Sequence, residues 1–230
     1  MDTHIVAPAA ETPDAGLAAD LDLRAGHARP LHRAFVGARH ASTWRHHPTG
    51  GEDRWRYNVV MVRVEHVLDS WKTIRQDTAA AVEEFPAGDL DYRPTPELMT
   101  FREIARHILD ASHALTGMLL AGDEDFTAPD FRERLKRHMR GLDAGAGAPE
   151  LAAALRDSLE ERTARLAAQP AEFFSHIVTR FDGQKVTRLE MVQTIKEHEL
   201  THRAQLFMYL RLKGMVPATT RRRLAKQAGK

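Results

Sequence analysis

Within KEHELTHRAQLFMYLRLKG, residues 196–214, His198 and His202 stand four residues apart, with Glu199 directly after the first. On a helix, side chains at i and i+4 stack one turn apart, near enough for two imidazole nitrogens to meet one cation at about 2.0–2.1 Å. Two imidazoles rarely suffice for a tight site, so a third donor is needed. HELTH also fits H-E-x-x-H, in which a zinc peptidase uses both histidines as ligands and the glutamate as general base. The downstream sequence argues against that reading: no Asp, Glu or His follows His202, so neither a metzincin's third histidine nor a glutamate on a following helix exists. The third ligand has to lie upstream.

Met191, Ile195, His198, His202, Leu206 and Tyr209 recur at three- and four-residue steps, which puts both imidazoles on the apolar stripe of their helix. The ordinary alternative is a core histidine bonded to a backbone or side-chain acceptor. Two on one turn of a buried face are costly unless something, such as a metal, satisfies both. Upstream, the candidates are His66, His107, His113, His138 and His176. His107 shares a stripe with Thr100, Ile104, Ala111, Ala114 and Met118, whose small members leave room, whereas His113 is rotated from it by more than a right angle. His66, on a face with Val59, Val62 and Thr73, is the second choice; His138 falls in a basic, exposed piece and His176 in a loop.

The elements that must position these residues are helices. From Asn58, Val59, Val62, Val64, Val67, Leu68, Trp71 and Ile74 recur at helical spacing until about Glu84, where Phe85-Pro86 stops the run. Thr100 and Glu103 have capping-box spacing and open a second helix over about Phe101 to Ala121. A short basic helical piece, FRERLKRHM, and a flexible GLDAGAGAP segment follow, then Leu151, Leu155, Leu159 and Leu166 mark a third long helix up to Pro170. FFSHIVTRFDGQKV reads as an irregular or hairpin-like connection around Asp182-Gly183, without convincing strand alternation. Thr187 and Glu190 form another capping box and open the last long helix, which ends at Gly214. Four amphipathic helices with long connections predict an all-α fold, a single four-helix bundle over residues 58–217.

Residues 1–57 show no sustained apolar period and read as a mostly disordered extension, in which His46 and His47 bind metal only adventitiously. Met61 is a candidate biological start, an expectation that native peptides from before it would reject. Residues 218–230 read as a basic, solvated tail. The 33 Lys and Arg nearly cancel the 32 Asp and Glu, which gives no reason to expect nucleic acid or membrane as a partner. No apolar run nears the roughly 20 residues that span a bilayer, and no signal peptide is visible, so a cytoplasmic protein is expected. The chain has 0 Cys, so any thiol chemistry uses a thiol from outside.

DYRPTPELMTFREIARHILDAS, followed some way on by HELTHRAQLFMYLRLKGMVP, resembles the DinB-like metal-binding proteins, relatives of the bacillithiol transferases and of the mycothiol-dependent maleylpyruvate isomerases. The resemblance covers about residues 58–217. It implies a four-helix bundle holding a divalent metal through a histidine on the second helix and an H-x-x-x-H pair on the last, here His107, His198 and His202. Two departures are visible: Thr201 stands where the family often has a histidine, and Arg203-Ala204-Gln205 replaces R-G-Q, with Ala204 bearing on helix packing or the pocket edge. A homodimer is expected, since related bundles often pair through their helices.

Three imidazoles leave a coordination position for water or a small-molecule substrate, and accept zinc, nickel, manganese or iron. Two chemistries follow: activated water gives a hydrolase, and a bound small-molecule thiol held as thiolate gives a transferase or isomerase. The resemblance favours transfer of a low-molecular-weight thiol to an electrophile; a non-catalytic metal-binding stress-response module and a metal-free structural bundle are the rivals. Glu199 is expected to bond a neighbouring histidine or face solvent, with a base role as the alternative. Arg203 and Gln205 are expected to orient an anion, or only to cap and solubilise, and Tyr209 to belong to the core.

Overall fold

A computed structural model describes residues 62–229, whose regular secondary structure is helical apart from one short hairpin. The extension expected over residues 1–57, its histidines, and Met61 lie outside the described residues. Helix α1 spans Val64–Glu84 and buries Val67, Leu68, Trp71 and Val82 together with Arg75 and Thr78. A residue before proline is driven out of the helical region, and Phe85, before Pro86, is extended at φ −70°, ψ 138°. Its ring stacks on Phe101 with centroids 3.7 Å apart, which ties the end of α1 to the start of the next long helix.

Helix α2, Phe101–Ala121, opens with the expected capping box. Thr100 Oγ1 accepts the Glu103 N–H at 3.1 Å, and Glu103 Oε2 accepts the Thr100 N–H at 2.6 Å. Gly122 closes the helix in the left-handed region at φ 91°. The short basic piece is α3, Phe131–Arg137, and the third long helix is α4, Ala148–Ala167. One turn, α5 at Ala171–Ser175, leads into an antiparallel hairpin of β1, Ile177–Thr179, and β2, Lys185–Thr187, with Val178 opposite Val186. Strands of 3 residues are too short to reveal alternation in sequence. Thr187 and Glu190 repeat the reciprocal cap and start α6, Arg188–Leu212.

The basic segment read as a solvated tail is solvated but ordered as a helix, α7, Ala218–Ala228, none of whose residues is buried. Arg222 meets Asp77 and Arg221 meets Glu84, each at 2.5 Å, so α7 is fastened to α1 by charges far away in sequence. No helix among the described residues is long and apolar enough to cross a membrane.

Helices α1 and α2 each lie along α4 and α6. The first two helices therefore stand across the bundle from each other, a crossing that the long linker between them permits. Two apolar clusters fill the interior. Val82, Phe101, Ile104, Leu151 and Leu210 belong to one, and Leu68, Trp71, Leu115, Met191 and Ile195 to the other. Between them, at the middle of each long helix, sits a buried polar layer: Arg75 and Thr78 from α1, Ser112 from α2, Ser158 from α4, and Glu199 with His202 from α6.

Candidate metal centre

Because α2 lies along α6, His107 comes against His198 and His202. His107 Nε2 is 2.9 Å from His198 Nε2, and His202 Nε2 is 3.1 Å from the same atom. One ring nitrogen from each residue lies within 4.8 Å of the others, and the rings meet edge-on with centroids 4.8, 4.6 and 4.5 Å apart. Three imidazoles around a tetrahedral cation would hold their nitrogens about 3.3 Å apart. The separations in the cluster fit that arrangement. His107 and His202 are buried while His198 is half-buried, so the cluster reaches the surface at the His198 ring.

Gln205, one turn beyond His202, accepts from its Nδ1 at 2.7 Å. An amide oxygen can only accept, so the ring proton sits on Nδ1 and the Nε2 lone pair faces the cluster. This is a different role from the anion-orienting or capping one that the sequence suggests. Burial first, and then the neighbouring His198 and His202, push His107 from the usual 6.5 down to about 3. The neutral ring is the form that binds a cation. Asp110, one turn beyond His107, is a titratable neighbour the sequence did not single out. Burial raises it to about 6 against the opposing pull of Arg106.

Glu199 does not face solvent; it is 1% exposed. It stands about 100° round the helix from His198, which turns it towards α1. There Oε1 accepts from Arg75 Nε at 2.8 Å and Thr78 Oγ1 at 3.1 Å, and Oε2 accepts from Arg75 Nη2 at 2.8 Å and Trp71 Nε1 at 2.6 Å. With both oxygens occupied, the base role that H-E-x-x-H would assign is closed. Arg75 also donates to Ser112 Oγ of α2 and to the Leu155 carbonyl of α4, each at 2.7 Å. One guanidinium thus touches all three other long helices.

The remaining histidines among the described residues do not join the cluster. His66 is exposed beside Arg63. His113 is buried on the α4 side of α2, with Nδ1 2.9 Å from Ser158 Oγ. His138, expected exposed, is half-buried against Gly117, where an added Cβ would lie 3.0 Å from its Nδ1; the approach of α3 to a glycine covers it. His176 meets Glu124 at 2.7 Å on the surface. Arg203 pairs with Asp77 at 3.4 Å and lies 5.3 Å over the Phe207 ring. Tyr209 is a core residue whose hydroxyl donates to the Met99 carbonyl at 2.8 Å, and Ala204 is exposed on the outer face of α6, clear of the interior.

A model of the DinB family matches residues 60–228. The Bacillus subtilis (strain 168) protein YjoA is 24% identical over 156 residues, spanning 67% of this chain and 93% of YjoA. The crystal structure of that DinB-like protein aligns with a TM-score of 0.53 at 20% identity, covering 66% of this chain and 94% of YjoA. YfiT from Bacillus subtilis, described as a probable metal-dependent hydrolase with an unusual four-helix bundle topology, aligns at 0.50 and 17% identity, covering 68% and 92%. At these identities the likeness establishes the fold.

Proposed function

Since the chain belongs to the DinB family, we propose that it binds one divalent metal ion through His107, His198 and His202 and uses it to transfer a low-molecular-weight thiol to an electrophilic substrate. The observation that carries the metal reading is the convergence of three imidazole nitrogens from two helices, 2.9 and 3.1 Å apart, at a spacing a cation fits. Zinc, nickel, manganese and iron all suit three nitrogens and an open position. When bound, the ion supplies Lewis-acid charge to the donor atom of a small molecule. The chain's own part is to keep His107 neutral by burial and to hold the Nδ1 proton of His202 on Gln205.

A thiol is the preferred co-substrate because relatives of this family type work with small thiols, and the chain, with 0 Cys, has no sulfur nucleophile of its own. In the transfer a sulfur–carbon bond forms, the leaving group departs with its electron pair, and the thiol proton passes to solvent. Hydrolysis is the second reading, favoured by the description of YfiT. A hydrolase here would differ from an H-E-x-x-H peptidase, since Glu199 is engaged at both oxygens.

Metal-loaded protein incubated with candidate small thiols and a generic electrophile is expected to give a rate above that of His198→Ala. Equal rates for every thiol remove the transferase reading. An ester or amide substrate turned over without thiol replaces it with the hydrolase.

A further inference from the structure

We infer that Glu199, the glutamate inside the H-E-x-x-H sequence, is a positioning residue: clamped by Arg75, it fixes the rotation of α6 so that His198 and His202 point at His107. The inference rests on the metal reading above.

The clamp and the rings occupy adjacent faces of one stretch of helix. Relative to Glu199, His198 lies about 100° and His202 about 60° round the helix in the same sense. When Glu199 is fastened to α1, both rings are turned towards α2. The fastening is specific in angle, because a carboxylate gripped side-on by a guanidinium, with Trp71 and Thr78 closing the remaining lone pairs, has one orientation that keeps every bond. The same guanidinium bonds Ser112, five residues beyond His107 on α2. Both ring-bearing helices are thereby referred to one point, and the Leu155 carbonyl refers α4 to it as well.

The required accuracy explains the expense of such a device. A side chain tip lies about 5–6 Å from its helix axis, so a rotation of about 20° would move a ring nitrogen by about 2 Å, a whole metal–ligand bond. Apolar packing tolerates small rotations, since the apolar residues above and below the polar layer can exchange contacts without losing burial. A buried ion pair does not, because a charge turned away from its partner is left uncompensated. Such pairs are poor stabilisers compared with apolar residues of equal volume, and setting register is their best-attested use.

The test uses the full chain, with zinc affinity by chelator competition, the cobalt(II) absorption spectrum, and the metal-free thermal midpoint measured for wild type and for Arg75→Met/Glu199→Leu. The double variant is expected to keep a midpoint within a few degrees of wild type while zinc binding weakens about 10- to 100-fold and the cobalt bands shift. A folded double variant with wild-type zinc affinity and cobalt spectrum overturns the inference, as does an affinity loss that merely follows the midpoint. Should the double variant not fold, Arg75→Lys and Trp71→Phe take its place, keeping the charges and removing hydrogen bonds to Glu199. Unchanged zinc affinity in both overturns it. Wild type that takes up neither zinc nor cobalt overturns the metal reading and this inference together, whereas wild type that binds and variants that bind equally overturn this one alone.

Discussion

Two histidines on α2, six residues apart, live in closely similar physical conditions and come to different ends. His107 on the α6 side and His113 on the α4 side are both buried, and burial is the largest cause pushing each below the usual 6.5, to about 3 and about 4. His113 meets one serine hydroxyl, which satisfies it. His107 meets two more imidazoles, which compete for the same space with the same chemistry. Burial and a depressed pKa therefore do not mark a ligand histidine. Convergence of further donors does, because nitrogen lone pairs aimed at one point need a cation to share.

The comparison breaks most directly by deletion. His107→Ala is expected to lose metal binding by at least about 100-fold, read by zinc competition, because two imidazoles remain on one flexible side of the ion. His113→Ala is expected to leave zinc affinity unchanged and to lower unfolding free energy in urea by about 1–3 kcal/mol, the cost of stranding Ser158. Equal metal loss in both would erase the distinction.

The partners of the two rings offer a finer version. Gln205→Ala is expected to weaken zinc about 10-fold by freeing the His202 tautomer, with little change in the metal-free midpoint. Ser158→Ala should do the reverse, costing about 1 kcal/mol of stability with zinc affinity intact. Acid gives a contrast of another kind. The folded pKa of His113 is lowered below its unfolded value by burial first and then by Arg162, against Glu161 and with Arg140 and Arg75 adding to it. Its contribution to stability is full above about 6.5 and is lost as pH falls towards about 4. Over that window metal-free wild type should lose stability more steeply than His113→Asn, by up to about 1.4 kcal/mol per pH unit.

Much of the arrangement was legible in the chain. Thr100 with Glu103 and Thr187 with Glu190 announce the starts of α2 and α6 because a capping box is a local contract between neighbours. The stripes carrying His107, His198 and His202 follow from helical periodicity, and the resemblance joined them. What stayed hidden depends on contacts between distant segments. Glu199 and Arg75 are 124 residues apart, and nothing near either reveals that they meet. Arg221 and Arg222 read as free charge because Glu84 and Asp77 lie on another helix. The basic neighbours of His138 suggest an exposed ring; the close approach at Gly117 is a tertiary fact. The diagonal placement of α1 and α2 is likewise a matter of which helices pack.

The central claim is that imidazoles from two distant segments hold one ion. Elemental analysis of wild type and His107→Ala, purified side by side without added metal, tests it most directly. The account predicts close to one equivalent of a divalent transition metal per wild-type chain and almost none in the variant. Equal metal content in the two proteins, or none in either after supplementation, would contradict it.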